Sequence, residues 1–406
     1  MTRAWGVVAL MWVAYFLNYA DRQLVFSIFP VLRSELRFTD AQLGLVGSIF
    51  LWVYAFMSPV AGQIGDRMSK RSLVVASLLL WSAATALTGM SRSPSWVLGC
   101  RALIGVVEAL FMPAAVALIA AAFPPEGRSR AIGVYGTAQV MGSAMGGSFG
   151  GWMAEHHDWR WAFYSLGVVG ILFAGPCVAL LRKTCDEPPP APRAEWSVAA
   201  LARVPSYGAL CLSFPTFCFA LWLVYAWLPD YFHERFRLGM GEAGFAAAAV
   251  PQGATMVGLL LGGMAADRLF RFTNKARFWL LVAGLIIIAP SLCLVAQADT
   301  FDLARVAAAG FGLGCGLFMA NLFPSSFDVV PERVRASAVG GLNLIGGLVA
   351  GFGAYLGGEY RRTLGIPTLM TIAAGLCLLG ALVLAAGIQL FFARDHERLA
   401  VAPANR

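Results

Sequence analysis

Twelve apolar runs of twenty residues or more, separated by short charged or Pro/Gly turns, occupy most of the 406-residue chain. They fall near 4–32, 41–61, 72–91, 96–123, 129–153, 160–182, 206–232, 242–269, 276–297, 301–328, 333–357 and 368–393. A helix that crosses a bilayer needs ~20 largely apolar residues. Inside hydrocarbon, helices and closed barrels are the structures that satisfy their own backbone groups. The pattern predicts an all-α membrane protein with twelve transmembrane helices. Composition agrees: 59% of residues are apolar and 13% charged, whereas soluble domains sit near about 45–50% and about 25%. The first run lacks a small-residue cleavage site and is too long for the apolar core of a signal peptide, so it reads as the first span.

The twelve runs divide into two related sets. Between the sixth and seventh lies "RKTCDEPPPAPRAEWSVAALARVPS", a polar stretch with a proline cluster. Proline cannot continue a helix and stiffens a linker. The expected organisation is a six-helix bundle over 1–182, a cytoplasmic linker over 183–205, a second six-helix bundle over 206–393 and a cytoplasmic tail over 394–406. "GQIGDRMSKR" after the second run is echoed by "GGMAADRLFR" after the eighth, so that Gly62, Asp66 and Arg67 align with Gly263, Asp267 and Arg268 at an offset of 201. "PPEGRSRAIG" (124–133) is echoed by "PERVRASAVG" (331–340). Two echoes at similar offset argue for duplication.

The net charge of +8 does not point to nucleic acid, because the basic residues are scattered through short turns with no aromatic-interleaved cluster. Their distribution sets orientation. Of thirty Lys and Arg residues, nineteen lie on the side holding the linker and both termini, nine on the other, and Arg22 and Arg101 inside spans. The richer side is cytoplasmic by the positive-inside rule. The eight cysteines include no CxxC pair and sit mostly in apolar runs, where they act as small buried hydrophobes. With no HExxH and no other ligand cluster among the four histidines, neither a metal nor a cofactor is expected.

In the first half, four charges stand well inside apolar runs: Asp21 and Arg22 in the first run, Arg101 and Glu108 in the fourth. A charge at the bilayer centre costs ~2.5–3.5 kcal/mol or more and normally faces a partner or a wet cavity. Arg101 and Glu108 are seven residues apart, two turns along one helix face. They are too distant to bridge each other, and Asp21 is the carboxylate expected near Arg101. The plainer reading is ion pairs tying two helices together. The functional reading is a proton site: a carboxyl group stripped of water holds its proton to higher pH, and an approaching cation lowers that again. Asp21 and Glu108 are then proton carriers, and Arg22 and Arg101 their charge partners and anion anchors.

Asn18, Tyr19, Tyr54, Gln139, Gln252, Asn321 and Asn343 are further polar residues within runs. Each suits a helix–helix hydrogen bond; together they suit a cavity, with Trp222, Tyr225 and Trp227 as possible lining. "GTAQVMGSAMGGSFGGW" and "GGLNLIGGLVAGFGAYLGG", in equivalent runs of the two sets, are rich in small residues that let helices approach closely. In "GQIGDRMSKR", Asp66 suits the N-terminal end of a neighbouring helix. Arg67, Lys70 and Arg71 can pair with Asp66 or with Glu126 at the cytoplasmic surface. With Gly62, Arg130, Asp267 and Arg268 they form an expected cytoplasmic gate. Positive-inside anchoring is the bland alternative.

"GQIGDRMSKR" resembles the signature loop of the major facilitator superfamily, with Ser69 where a glycine is usual. That resemblance implies two pseudo-symmetric six-helix bundles that alternate access to a central site. Within the superfamily, "NYADR", "WVYAF", "RALIGVVEALFMPA" and "FPPEGRSRAIG" are similar to the anion:cation symporter family, which carries sugar acids and other organic anions with protons. The resemblance implies a coupling site at Asp21, Arg22, Arg101 and Glu108, and substrate contacts at Tyr19, Tyr54, Gln139 and Asn343. The spinster lipid transporters share the "LNYxDR", "GxxGDR" and "RxLxGxxEA" patterns and are the rival resemblance. The expected function is proton-coupled symport of a small organic anion by a monomer in a bacterial inner membrane. A membrane sensor would carry an added signalling domain. An enzyme would need a metal, nucleophile or nucleotide motif, and the chain displays none.

Overall fold

The computed structural model describes residues 2–123, 125–181, 201–331 and 334–401, and for residues 2–3, 59, 62–63, 65–67, 125–130, 336 and 399–401 the backbone alone. Most of the expected linker (183–200) and the end of the tail (402–406) lie outside the described residues.

Fourteen helices are described. In chain order they are α1 Thr2–Ser27, α2 Phe29–Glu35, α3 Asp40–Arg67, α4 Lys70–Gly89, α5 Pro94–Ala122, α6 Pro125–His156, α7 Arg160–Leu181, α8 Pro205–Phe236, α9 Met240–Leu269, α10 Ala276–Gln297, α11 Phe301–Phe327, α12 Arg335–Glu359, α13 Gly365–Leu390 and α14 Phe392–Val401. Twelve are long and correspond one to one with the apolar runs; α2 and α14 are short. Ten of the twelve are apolar enough to span by length and composition alone. The other two are α1, which carries Asn18, Asp21 and Arg22, and α6, with its glycines and Gln139. The first run, expected as one helix over 4–32, is broken at Ile28. The cause is Pro30, which has no N–H to give and whose ring would strike the carbonyl of Phe26. The chain restarts with the proline in the first turn of α2, where that N–H is not needed. Caps fix other boundaries. Thr39 and Gln42 form a reciprocal capping box at the start of α3, and Ser69 caps α4 by accepting from the Ser72 N–H.

The chain forms two compact units. The first comprises Met1–Ala191, Tyr225–Ala249 and Ala354–Glu359. In it α1 packs on α6, α3 on α5, and α4 on both α5 and α7. The α1–α6 seam follows from spacing. Gly142, Gly146 and Gly150, four apart, form one ridge against Phe16, Ala20 and Leu24, also four apart. A side chain at Gly146 would run into the Ala20 backbone. Gly146→Ala is therefore expected to pry the helices apart and cost roughly 2 kcal/mol or more, read as a lowered melting temperature of the detergent-purified protein. Gly136→Ala, where a Cβ meets open space, should leave it unchanged.

The ends of α8 and α12 and the start of α9 cluster with this first unit, although in sequence they belong to the second bundle. The Trp227 indole donates to the Ala354 carbonyl at 2.9 Å. Arg33 gathers Asp40 at 3.0 Å, the buried Asp230 at 3.1 Å and Glu234 at 3.7 Å.

The second unit comprises Pro192–Val224, Val250–Gly353 and Tyr360–Arg406. Here α10 packs on α11 and α13. Gly312 and Gly316 of α11 meet the Pro251 and Thr255 carbonyls of α9, and Gly346 and Gly353 of α12 meet Phe214 and Phe219 of α8. These pairings repeat those of the first unit helix for helix, as the sequence echoes lead one to expect. Asp395 of α14 accepts from the Ser206 N–H at 2.9 Å and hydroxyl at 2.8 Å, tying the start of α14 to the start of α8.

Candidate functional site

Neighbours on a helix point about 100° apart, so Asp21 and Arg22 of α1 reach different partners. Asp21 accepts from the Thr85 hydroxyl of α4 at 3.0 Å and pairs with Arg101 of α5 at 3.5 Å. Arg22 pairs with Glu108 of α5; both its Nε and Nη2 lie 2.7 Å from Oε2. The seven-residue spacing on α5 separates Arg101 and Glu108 by about 10 Å along the axis, and two arginine side chains of opposite origin close the gap to α1. The four intramembrane charges thus form two ion pairs between the same two helices, with the signs crossed.

The two pairs differ in access. The Arg101 and Asp21 side chains are 1% and 2% exposed, and the Arg101 Nε also donates to the Val46 carbonyl at 3.4 Å. In the other pair Glu108 is 0% exposed and Arg22 13%. Arg22 is therefore the charge of this cluster that an incoming group can touch. The Glu108 Oε1 accepts no hydrogen bond among the described residues.

Aromatic rings surround the accessible guanidinium. Its central carbon lies 4.8 Å from the Tyr19 centroid, 4.7 Å from Phe50 and 5.3 Å from Tyr54. Phe50 also carries Arg101 at 4.9 Å, so one ring serves both cations. Cation–π contacts of this kind hold a guanidinium while leaving its N–H edge available. Tyr15 stands edge-on to Tyr19 at 4.9 Å and stacks on Tyr135 at 4.4 Å, and its hydroxyl donates to the Gln139 side-chain oxygen at 3.3 Å.

The first unit thus brings together Asp21, Arg22, Arg101, Glu108, Tyr19, Tyr54 and Gln139. Sequence reasoning missed Phe50, Thr85, Tyr15 and Tyr135. In a membrane helix an aromatic or a threonine is ordinary, and the one available signal was that Phe50 and Tyr54 are four apart. The second-unit candidates are placed differently. Gln252 is buried. Asn321 donates to the Leu317 carbonyl at 3.0 Å and the Gly262 carbonyl at 3.5 Å, tying α11 to α9. Asn343 is exposed. Trp227 is buried beneath Ala354.

Of the expected gate, Arg71 donates to the Val178 carbonyl at 3.2 Å, joining the start of α4 to the end of α7. Lys70 is half-buried, and Asp267 and Arg268 are exposed at the end of α9. Gly62 lies within α3, and the side chains of Asp66, Arg67, Glu126 and Arg130 lie outside the described residues. Among the described residues no group of three His, Cys, Asp or Glu could hold a metal.

Chemically, the cluster offers an exchange. A proton on Glu108 removes the charge that holds Arg22. The guanidinium then presents N–H donors to an anion in a setting where charge-assisted, bidentate bonds are strong.

The family model for the Major Facilitator Superfamily matches residues 11–354. The chain is 27% identical to an MFS-type efflux pump of Mycolicibacterium smegmatis over 83% of its own length and 80% of the relative's. It is 25% identical to a D-galactonate transporter of Escherichia coli over 94% of each. The crystal structure of a bacterial homologue of the human lysosomal transporter Spinster, inward-facing and occupied, superposes with a TM-score of 0.80 at 21% identity, covering 96% of this chain and 97% of that one. At that identity the likeness concerns the fold.

Proposed function

The chain belongs to the Major Facilitator Superfamily, an integral membrane transporter family, and from that premise we propose that it carries a small organic anion together with protons. The observation that supports this reading most is the Arg22–Glu108 pair: one partner fully buried, the other the accessible cation of the cluster. A buried acid facing a reachable base makes proton and anion binding mutually supportive. The proton releases Arg22, and the anion then takes the place of the carboxylate. The similarity to a galactonate transporter supports the same cargo class.

The transport cycle follows. The proton loads Glu108, with Asp21 as the second titrating carboxyl group beside Arg101. The anion binds Arg22. The loaded protein switches access by alternating movement of its two bundles about a midplane site, and anion and proton leave together. The small-residue faces of α6 and α12 serve as the close-approach surfaces on which the bundles rock. The gate assigned to Gly62, Asp66, Arg67, Lys70, Arg71, Glu126, Arg130, Asp267 and Arg268 closes the cytoplasmic side in the opposite state. The setting is a bacterial inner membrane with both termini cytoplasmic, and the working unit a monomer with no cofactor.

The second reading is transport of a lysolipid, supported by the superposition on a spinster homologue. Thermal unfolding of the purified protein separates the two. D-Galactonate, benzoate and lysophosphatidylethanolamine are each added at pH 5.5 and 7.5. The proposal predicts stabilisation by an organic anion, about 2.7 kcal/mol at a hundredfold excess over Kd, and larger at pH 5.5. Stabilisation by the lysolipid alone would transfer the protein to the second reading.

A further inference from the structure

A proton bound for Glu108 has to cross protein, because that side chain is 0% exposed. Its two oxygens are not equivalent. Oε2 receives both the Nε and the Nη2 of Arg22 at 2.7 Å. Oε1 is buried with no partner among the described residues, so it is the atom left to take the proton. Arg22 is 13% exposed, but a guanidinium has no lone pair with which to accept a proton and pass it on.

A second buried group is left over in the same place. Asn18 is 1% exposed, and neither its Oδ1 nor its Nδ2 has a partner among the described residues. Helix geometry sets this amide opposite Glu108. Seen down α1, Asn18 points about 60° from Asp21 and about 40° from Arg22, between the two charges. It sits about 6 Å nearer the start of α1 than Arg22 does. As the first and fourth spans, α1 and α5 run in opposite directions. Asp21 takes Arg101 and Arg22 takes Glu108, and about 10 Å of α5 separates those partners. Glu108 is therefore displaced by about 5 Å toward the start of α1, to the level of Asn18. Buried polar atoms are normally bonded to protein or to ordered water. An internal water makes about three hydrogen bonds. The two amide atoms of Asn18 and the Oε1 of Glu108 supply three, in a place too enclosed for cargo.

We propose that Asn18 holds a water against Glu108 Oε1 and that the coupled proton enters through this water. One O–H bond of the water breaks as the Oε1–H bond forms. The water regains a proton from solvent at the exposed edge of Arg22, so one proton moves and the water is left as it was. The amide itself neither gains nor loses a proton, which makes Asn18 a positioning residue. The inference rests on the reading of Glu108 as proton carrier and adds its route.

Asn18→Val and Asn18→Thr share one shape and differ by a hydroxyl, and they test the proposal beside wild type and Glu108→Gln. The detergent-purified full-length proteins are jumped from pH 7.5 to 5.5 in lightly buffered solution without cargo, and an indicator dye follows proton uptake. Arg22 and Asp21 of α1, Arg101 of α5 and Tyr54 of α3 surround Glu108 and are present in every protein compared. Glu108→Gln is expected to take up one proton fewer than wild type. Asn18→Val is expected to take up the wild-type number at least tenfold more slowly, and Asn18→Thr to stay within threefold of the wild-type rate. Equal slowing of both variants, an Asn18→Val rate equal to wild type, or a proton lost in Asn18→Val overturns the proposed route and leaves Glu108 as carrier. A full complement of protons in Glu108→Gln removes the carrier, and the coupling reading falls with the route. Melting temperatures report folding. Should Asn18→Val not fold, infrared difference spectra of the wild-type protein between the two pH values decide. A bound-water band that shifts in water enriched in the heavy oxygen isotope, and is missing in Glu108→Gln, is expected; its absence from wild type overturns the proposal.

Discussion

Glu108→Gln is expected to abolish accumulation driven by a pH gradient while leaving counterflow exchange of the same anion intact. The amide keeps the shape of the carboxyl group and can direct its oxygen toward Arg22, but it never carries the negative charge that recaptures the guanidinium. Arg22 is then permanently available, as in the protonated wild-type protein. Loading and unloading on either side continue, and the step in which anion release is exchanged for proton release is missing. In proteoliposomes, gradient-driven uptake should drop at least a hundredfold, equivalent to about 2.7 kcal/mol of lost coupling. Exchange of labelled for unlabelled anion should remain within a few-fold of wild type. Uptake that still follows the pH gradient would move the coupled proton to another group, with Asp21 the next to examine.

Arg22→Gln should lose exchange as well as uptake, because the anion has no anchor. It also leaves Glu108, fully buried, without its cation, and breaking a buried pair from one side costs about 3–5 kcal/mol. The single variant should therefore melt well below wild type. Arg22→Gln combined with Glu108→Gln removes both charges and should recover most of that stability, with anion binding still lost. If the double variant binds the anion as wild type does, Arg22 is not the anchor. Arg101 is a poorer alternative, since its side chain is 1% exposed and already engaged with Asp21 and the Val46 carbonyl.

The fold was legible because hydrocarbon imposes its own grammar. A run such as 276–297 had one interpretation, and α10 occupies those residues. The break at Pro30 was not legible, because a proline that opens a second helix leaves the hydropathy of the run unchanged. In the site, isolated charges in apolar surroundings announced themselves, and their spacing placed Arg101 and Glu108 on one face of α5. Asp21 was the carboxylate expected beside Arg101, and the two pair at 3.5 Å; that Arg22 reaches Glu108 depends on arginine side-chain length and the crossing of α1 over α5, neither of which spacing records. The aromatic wall was hidden for a different reason. Phe50, Tyr15 and Tyr135 are unremarked residue types in a membrane span; what distinguishes them is the contact of Phe50 with Arg22 and the chain of ring contacts from Tyr135 through Tyr15 to Tyr19. Asn321 illustrates the converse, since a polar residue in a span is as well suited to a helix–helix tie, the arrangement found here, as to a cavity.

The claim on which the account depends is that anion and proton cross together. Its most direct test uses proteoliposomes with a pH-sensitive dye inside, equal pH on both faces and membrane potential clamped at zero. An inward gradient of whichever of benzoate or D-galactonate binds more tightly is then applied. Signals from protein-free vesicles are subtracted, because a neutral aryl acid crosses lipid unaided. The account predicts that the interior acidifies as the anion enters, and that Glu108→Gln vesicles show no acidification. Anion entry through the wild-type protein at constant internal pH would contradict it.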